Sequence, residues 1–250
     1  MQAWDQNAPF DAILFDKDGT LIDFDATWGP AAFAVMANLA DGDGAALEEL
    51  MRVSEYVLAE RRFLPSSPLV AGSSAHYGPL WAQALGRGCD ADFLALMDRL
   101  FLEAGLVHLA PIGDPQALCR DLERRGYLLG IATNDSQASA QAQARALGID
   151  AQMRFVAGYD SGHGSKPEPG MITAFVAAHA MAPARVALVG DSLHDLHAAR
   201  AAGICAIAVL SGPRGEAARV EVAPFADYVI PSIVGLPALL DGLAPSGLRD

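Results

Sequence analysis

Ala12-Ile13-Leu14-Phe15-Asp16-Lys17-Asp18-Gly19-Thr20-Leu21 is the stretch from which the rest of the chain is read. Four apolar residues run into two aspartates one residue apart, and Gly19-Thr20 then turns the chain away. A short apolar run closed by Gly is a buried strand that stops at a loop. Alternation along an extended backbone sends residues 16 and 18 the same way and Lys17 the other. Two carboxylates held that close repel, so they need a cation or a shared proton. A solvated surface turn has the same local pattern. An EF-hand loop does not: counted from Asp16, its Gly and Glu positions are filled by Leu21 and Thr27.

Outward from this stretch the chain alternates between two textures. From Asp23 to His108 the apolar residues recur at helical spacing, as in Leu47, Leu50, Met51, Val57 and Leu58, or Phe93, Leu96, Met97, Leu100 and Phe101. Further helices are expected over Pro30 to Leu39 and near Leu80 to Leu85, with Asp90 or Asp92 as a cap. Pro65 to Gly78, rich in Pro, Ser and Gly, reads as a connection. Beyond Pro111 strands and helices alternate. Asp114-Pro115 starts a helix that Gly126 stops, Tyr127 to Ala132 is a strand, and Ser136 caps a helix ending at Gly148. Strands follow at Met153 to Ala157, Val186 to Val189, Ile204 to Leu210 and Tyr228 to Ile230. Helices fall at Met171 to Met181, from Ser192 to Ala202, and at Ile233 to Leu240.

This alternation predicts a doubly wound, Rossmann-like parallel α/β sheet. The expected division is a core of residues 1–22 and 109–250 and an inserted all-helical cap domain of residues 23–108. A chain of 250 residues with 52% hydrophobic residues is long enough for that arrangement.

A net charge of −13 disfavours nucleic acid and anionic lipid as partners, so any positive charge offered to an anion must be local. Cys89, Cys119 and Cys205 form no Cys-x-x-Cys pair and fit reduced thiols. Met1 to Asn7 lacks a basic leader followed by an apolar run, and no apolar stretch is long enough to span a bilayer, so a cytoplasmic protein is expected. The composition says nothing of oligomeric state.

In an open parallel sheet, ligands bind at the carboxyl ends of the strands. Three expected strands deliver polar residues there: Asp16 and Asp18, then Thr133 and Asn134, then Asp191. Asp195 falls in the first turn of the next helix, where a carboxylate suits the dipole. Lys166, in Gly-Ser-Lys-Pro-Glu-Pro, is the one strongly placed cation. Carboxylates gathered on one rim suit a hard divalent ion such as Mg²⁺, which shares its sites with phosphate. His194 and His197, three apart, could be metal ligands or simply a solvated helix start. His163 could touch substrate or fill a loop. The glycines around it form neither a dinucleotide loop nor a P-loop, and no Gly-x-Ser-x-Gly elbow is present.

Taken in order, Asp16-Lys17-Asp18-Gly19-Thr20-Leu21, Thr133, Lys166-Pro167 and Gly190-Asp191-Ser192 with Asp195 resemble the four motifs of the haloacid dehalogenase-like hydrolase superfamily. The resemblance runs from Ile13 to about Gly203, with a helical cap placed as in its phosphoglycolate phosphatase-like members. It implies Mg²⁺-dependent hydrolysis of a small phosphorylated metabolite. Asp16 would be the nucleophile and Asp18 the general acid and base. Mg²⁺ would be held by Asp16, the backbone carbonyl of Asp18 and Asp191. Thr133 and the amide of Asn134 would bind phosphoryl oxygens, and Lys166 would neutralise charge. Asp195 would orient Lys166 or a metal-bound water.

Members that cleave carbon–halogen or carbon–phosphorus bonds lack an aspartate at the place of Asp18, so phosphate-ester chemistry is implied. Lys17 departs from the apolar residue commonest at its place, and its side chain is expected to point away from the site. Phosphoglycolate is the first substrate expected, with a sugar phosphate or nucleoside monophosphate next, and the carboxylate of phosphoglycolate would require an arginine facing the crevice. Trp28, Arg52, Arg61, Arg62, His76, Tyr77 and Trp81 are the cap residues that could contact it. Phosphoryl transfer of the β-phosphoglucomutase kind, or a non-catalytic phosphate-binding protein on the same scaffold, are the alternatives.

Overall fold

The computed structural model describes residues 10–70 and 72–243; the leader expectation for Met1 to Asn7 lies outside them. Six parallel strands form one sheet. In chain order they are β1 (Ala12–Phe15), β4 (Leu128–Ala132), β5 (Met153–Ala157), β6 (Val186–Gly190), β7 (Cys205–Val209) and β8 (Tyr228–Ile230). Their spatial order is β5-β4-β1-β6-β7-β8. β1 is central, pairing with β4 through Phe15 opposite Ile131 and with β6 through Phe15 opposite Val189. From β1 the chain steps outward to β4 and β5 on one side, and from β6 it steps outward to β7 and β8 on the other, so the carboxyl ends of the neighbouring β1 and β6 flank the topological switch point where such sheets bind ligands.

Strand alternation divides the core in two. Ile13, Phe15, Ile131, Val189 and Ile207 face α5 (Pro115–Arg124), α6 (Gln137–Ala146) and α10 (Leu236–Leu243). Ala12, Leu14, Leu188, Ala206 and Ala208 face α7 (Gly170–Ala178), α8 (Leu193–Ala202) and α9 (Arg219–Val222). β1 and β6 are buried along their whole length, which is why they read as unbroken apolar runs. Each large aliphatic or aromatic side chain so buried contributes about 1.5–3 kcal/mol.

Between β1 and α5 lies the inserted segment. It contains α1 (Phe24–Ala40), α2 (Gly44–Val53), α3 (Ser74–Ala84) and α4 (Ala91–Val107). Its separate core is built from Trp28, Met36, Leu50, Trp81, Phe93 and Phe101. Asp90, not Asp92, caps α4 by accepting from the Phe93 N–H. The segment leaves and re-enters side by side: Asp23 N–H donates to Ala110, Ile112 N–H donates to Leu21, and Thr27 Oγ1 accepts from Ala110 N–H.

Two details differ from the helical periodicity. Helix α2 stops at Val53, and Tyr56–Val57 pairs antiparallel with Arg62–Phe63 as a short hairpin, β2 and β3, so Val57 and Leu58 do not extend the helix. Glu55, at φ 50°, makes the break between them. The connection expected to last until Gly78 ends earlier, because α3 begins at Ser74. The strand boundaries agree within a residue or two, but α1 begins six residues before the expected Pro30, α7 ends three residues short of Met181, and Ile233–Gly235 is a 3-10 turn leading into α10, which runs three residues beyond Leu240; short helical turns also lie over residues 215–225.

Candidate active site

Each strand nearest the switch point ends in a polar residue. β1 stops at Phe15, and Asp16 continues just far enough to donate its N–H to Val189. The chain then folds over itself, with the N–H groups of Thr20, Leu21 and Ile22 all directed at the Lys17 carbonyl. Gly19 at φ 79° permits this turn, and a Cβ there would collide with the Asp191 carboxylate. β4 delivers Thr133, β6 delivers Asp191, and Asp195 follows in the first turn of α8. Ser192 and Asp195 form a reciprocal capping box.

These residues converge. Lys166 Nζ lies 2.5 Å from Asp16 Oδ1 and 2.6 Å from Asp195 Oδ1, with Lys166 3% exposed and Asp195 1%. The other oxygen of Asp195 accepts from the Ser192 N–H and hydroxyl, so both of its oxygens are engaged. Carboxylate oxygens of Asp16, Asp191 and Asp195 lie within 4.8 Å of one another. Thr133 Oγ1 is 3.5 Å from Asp18 Oδ2. Asn134 lines the same crevice, but its side-chain amide is engaged with the Lys166 backbone, accepting from its N–H at 2.8 Å and donating to its carbonyl at 2.9 Å. That clamp sets the height at which the lysine enters.

Three carboxylates facing one ammonium leave an excess of negative charge. Burial pushes the Asp16 carboxyl up to about 7, the Lys166 charge opposing and the Asp195 and Asp18 charges adding to the rise. Asp191 is raised for the same reasons, burial first and then Asp195 and Asp16. Burial works against the charge on Lys166, but Asp16 and Asp195 outweigh it and hold the ammonium above its ordinary range. Hard oxygen donors with uncompensated charge are what a divalent cation requires, so this donor set fits one.

The crevice is about 800 Å³, counting the space open to solvent, and the inserted segment forms its far wall. Phe24, Trp28, Phe63 and Phe101 supply aromatic surface, while Ser73, Ser74 and Tyr77 supply hydroxyls. Among the described residues that line it there is no arginine. Of the insert residues expected to contact substrate, Trp28 and Tyr77 do line it. Arg52 pairs with Glu49 and Arg62 with Glu60 on the surface, while Trp81 is buried in the insert core with Nε1 donating to Ser54 Oγ. Arg61 and His76 are likewise not among the lining residues. Phe24 and Phe101 were hidden in the sequence because residues lining a crevice and residues filling a core share one helical period, and Phe63 because it lies in a two-residue strand with no period to detect.

The histidines separate. His194 lines the crevice with its Nδ1 buried and without a hydrogen-bond partner among the described residues, whereas His197 packs edge-on against Phe225 with ring centroids 4.7 Å apart. His163 lies by Phe155 and away from the crevice. Lys17 does not point away from the site. The strand geometry ends at Phe15, and the turn that follows swings its ammonium to 2.7 Å from Asp18 Oδ1 and 3.0 Å from Asp135 Oδ2. Asp135, which follows Thr133 and Asn134 at the end of β4 and was not among the expected site residues, lines the same crevice; nothing in its local sequence marks it. The same holds for Gly212, whose lack of a side chain makes room for the Asp191 carboxylate.

A family model described as haloacid dehalogenase-like hydrolase matches residues 10–203. A phosphoglycolate phosphatase of Rhodospirillum rubrum is 32% identical over 213 residues, covering 80% of each chain. An N-acetylmuramic acid 6-phosphate phosphatase of Pseudomonas aeruginosa is 26% identical over 205 residues, covering 80% of this chain and 82% of its own. Among solved structures, one described as a predicted phosphoglycolate phosphatase from Haemophilus somnus superposes with a TM-score of 0.68 at 18% identity, over 92% of this chain and 98% of the other.

Proposed function

Because this chain belongs to the haloacid dehalogenase-like hydrolase family, we propose that it is a Mg²⁺-dependent phosphatase that hydrolyses a small phosphate monoester through an aspartyl-phosphate. The observation that carries this is the meeting of Asp16, Asp18, Thr133, Lys166 and Asp191 in one crevice at the sheet's switch point. A carboxylate of Asp16 attacks phosphorus in line, forming a P–O bond to Asp16 as the P–O bond to the alcohol breaks. Asp18 gives its proton to the departing oxygen. It then takes a proton from the water that attacks the aspartyl-phosphate, releasing inorganic phosphate and restoring Asp16.

Lys166 neutralises charge on the phosphoryl group and holds Asp16 in its attacking position, and the Thr133 hydroxyl donates to a phosphoryl oxygen. Asp195 fixes Lys166, and Asn134 fixes the backbone that carries it. Asp16, the backbone carbonyl of Asp18 and Asp191 would hold a Mg²⁺, which would supply the positive charge that lets one anion approach another. The insert acts as a cap that shields the reaction from bulk water.

The names of the relatives make phosphoglycolate the first ester to try, with a sugar phosphate next. A substrate carboxylate would be met by the Ser73, Ser74 and Tyr77 hydroxyls and by His194 rather than by a guanidinium. The test is phosphate release from a panel of phosphorylated metabolites and an aryl phosphate, in ¹⁸O-labelled water, with Mg²⁺ or with chelator. Mg²⁺-dependent release of labelled phosphate that disappears in Asp16→Asn is the expected result. Full turnover in chelator, an active Asn variant, or transfer to sugar in place of labelled phosphate would overturn it.

A further inference from the structure

Lys17 is 1% exposed. A charge buried to that degree is retained only where its partners hold it. The carboxylates of Asp18 and Asp135 lie against it and supply the partners that such a buried ammonium requires. It does not serve the phosphoryl group directly, since Lys166 lines the crevice and Lys17 does not.

What it does touch is specific. Nζ lies 2.7 Å from Asp18 Oδ1, 3.0 Å from Asp135 Oδ2, and 4.9 Å from the centre of the Trp28 ring. Trp28 Nε1 donates to the same Asp18 Oδ1 at 2.5 Å. One oxygen of Asp18 is therefore held by two donors, one from the turn after β1 and one from the first helix of the insert. The other oxygen is the one nearest Thr133. Asp135 is itself fixed, with Oδ1 accepting from Ser136 N–H and its own N–H donating to Thr133 Oγ1.

We propose that Lys17 is a positioning residue that acts through Asp18: with Asp135 and Trp28 it clamps Oδ1, so that Oδ2 faces the reacting ester only while α1 lies over the sheet edge. The proposal rests on the reading of Asp18 as the group that protonates the leaving alcohol. An apolar residue at position 17 would leave Asp18 Oδ1 with the Trp28 N–H as its remaining donor from this pair and loosen its aim. The clamp joins core and insert at the one side chain whose aim decides whether a poor leaving group can depart.

The test is kcat/KM for a series of phosphate monoesters whose alcohols run from acidic phenols to aliphatic alcohols, since only the latter need a well-aimed proton donor. Lys17→Met is expected to lower kcat/KM on aliphatic esters about tenfold to a hundredfold while changing the most acidic phenol ester little. Trp28→Phe, which keeps the ring contact with Phe101 and removes the N–H, is expected to steepen the series in the same direction by a smaller factor, and covers the case in which Lys17→Met fails to fold. Lys17→Arg, which keeps the charge, should recover part of the loss on aliphatic esters. Equal loss on all esters in both Lys17→Met and Trp28→Phe, or no loss in either, overturns the proposal. Asp18→Asn separates the two levels. If it steepens the series and the other variants do not, the clamp is wrong and the role of Asp18 stands; if it does not steepen the series, both fall.

Discussion

Lys166 and Asp16 are 150 residues apart in the chain, and their side chains meet with Nζ 2.5 Å from Oδ1. Asp195 holds the same ammonium from its other side. One cation thus serves two buried carboxylates, and a third, Asp191, stands beside them without a cation of its own among the described residues.

Removing that cation should therefore hurt both fold and activity. Lys166→Met leaves Asp16 and Asp195 buried without their partner, a loss of about 3–5 kcal/mol when one member of a buried pair is deleted. Urea unfolding at pH 8 measures it, and kcat should fall at least a hundredfold. The destabilisation should shrink at pH 5, where Asp16 can take up a proton instead. An unchanged unfolding midpoint at pH 8 would rule out the pairing as a source of stability.

Asp16 sets a pH dependence whose sign follows from its raised pKa. Folded, it titrates at about 7 against an ordinary 3.8, so the folded state binds a proton more tightly than the unfolded chain. That contribution is fully present below the unfolded value and is lost as pH rises through the folded one. The metal-stripped protein should melt at progressively lower temperature between about pH 4 and 7. Mg²⁺ should raise the melting temperature more at pH 8 than at pH 5, since a cation replaces the proton. Differential scanning fluorimetry across pH, with and without Mg²⁺, reads both effects.

Gly212 is required for space. A Cβ there would run into the Asp191 carboxylate, and nothing else about its backbone demands glycine. Gly212→Ala should leave the fold intact and raise the Mg²⁺ concentration for half-maximal activity by about tenfold or more, as displacement of a metal ligand does. A Mg²⁺ titration of the variant with wild-type affinity would place Asp191 outside the metal site.

The arginines of the insert offer a contrast. Arg52 is paired with Glu49 on the surface, so Arg52→Ala should leave kcat and KM within about twofold, as a solvent-facing pair contributes little. Trp28→Ala removes both crevice wall and a donor to Asp18, and should lower kcat/KM by a hundredfold or so. If Arg52→Ala proved the more damaging of the two, the substrate would have to lie against a different face of the insert.

Much of this architecture was legible in one dimension. β1 and β6 are buried on both faces, so their unbroken apolar runs alone marked them as strands, while their central place in the sheet is set by the fold. Ser136, Ser192 and Gly203 act at helix ends within a few residues of where they stand in the chain. The short hairpin was not legible, because a two-residue strand has no period to detect. Nor was Asp135, whose role depends on a lysine over a hundred residues earlier.

Local sequence decided where strands end, and so which aspartates and threonine reach one edge of the sheet, because strand burial and helix capping are settled between near neighbours. The direction of Lys17, the absence of arginine from the described crevice wall and the fit of Asp191 against Gly19 and Gly212 were decided only by folding. Each of these depends on how far a turn rotates a side chain and on which distant backbone lies beside it, and spacing along the chain carries neither quantity.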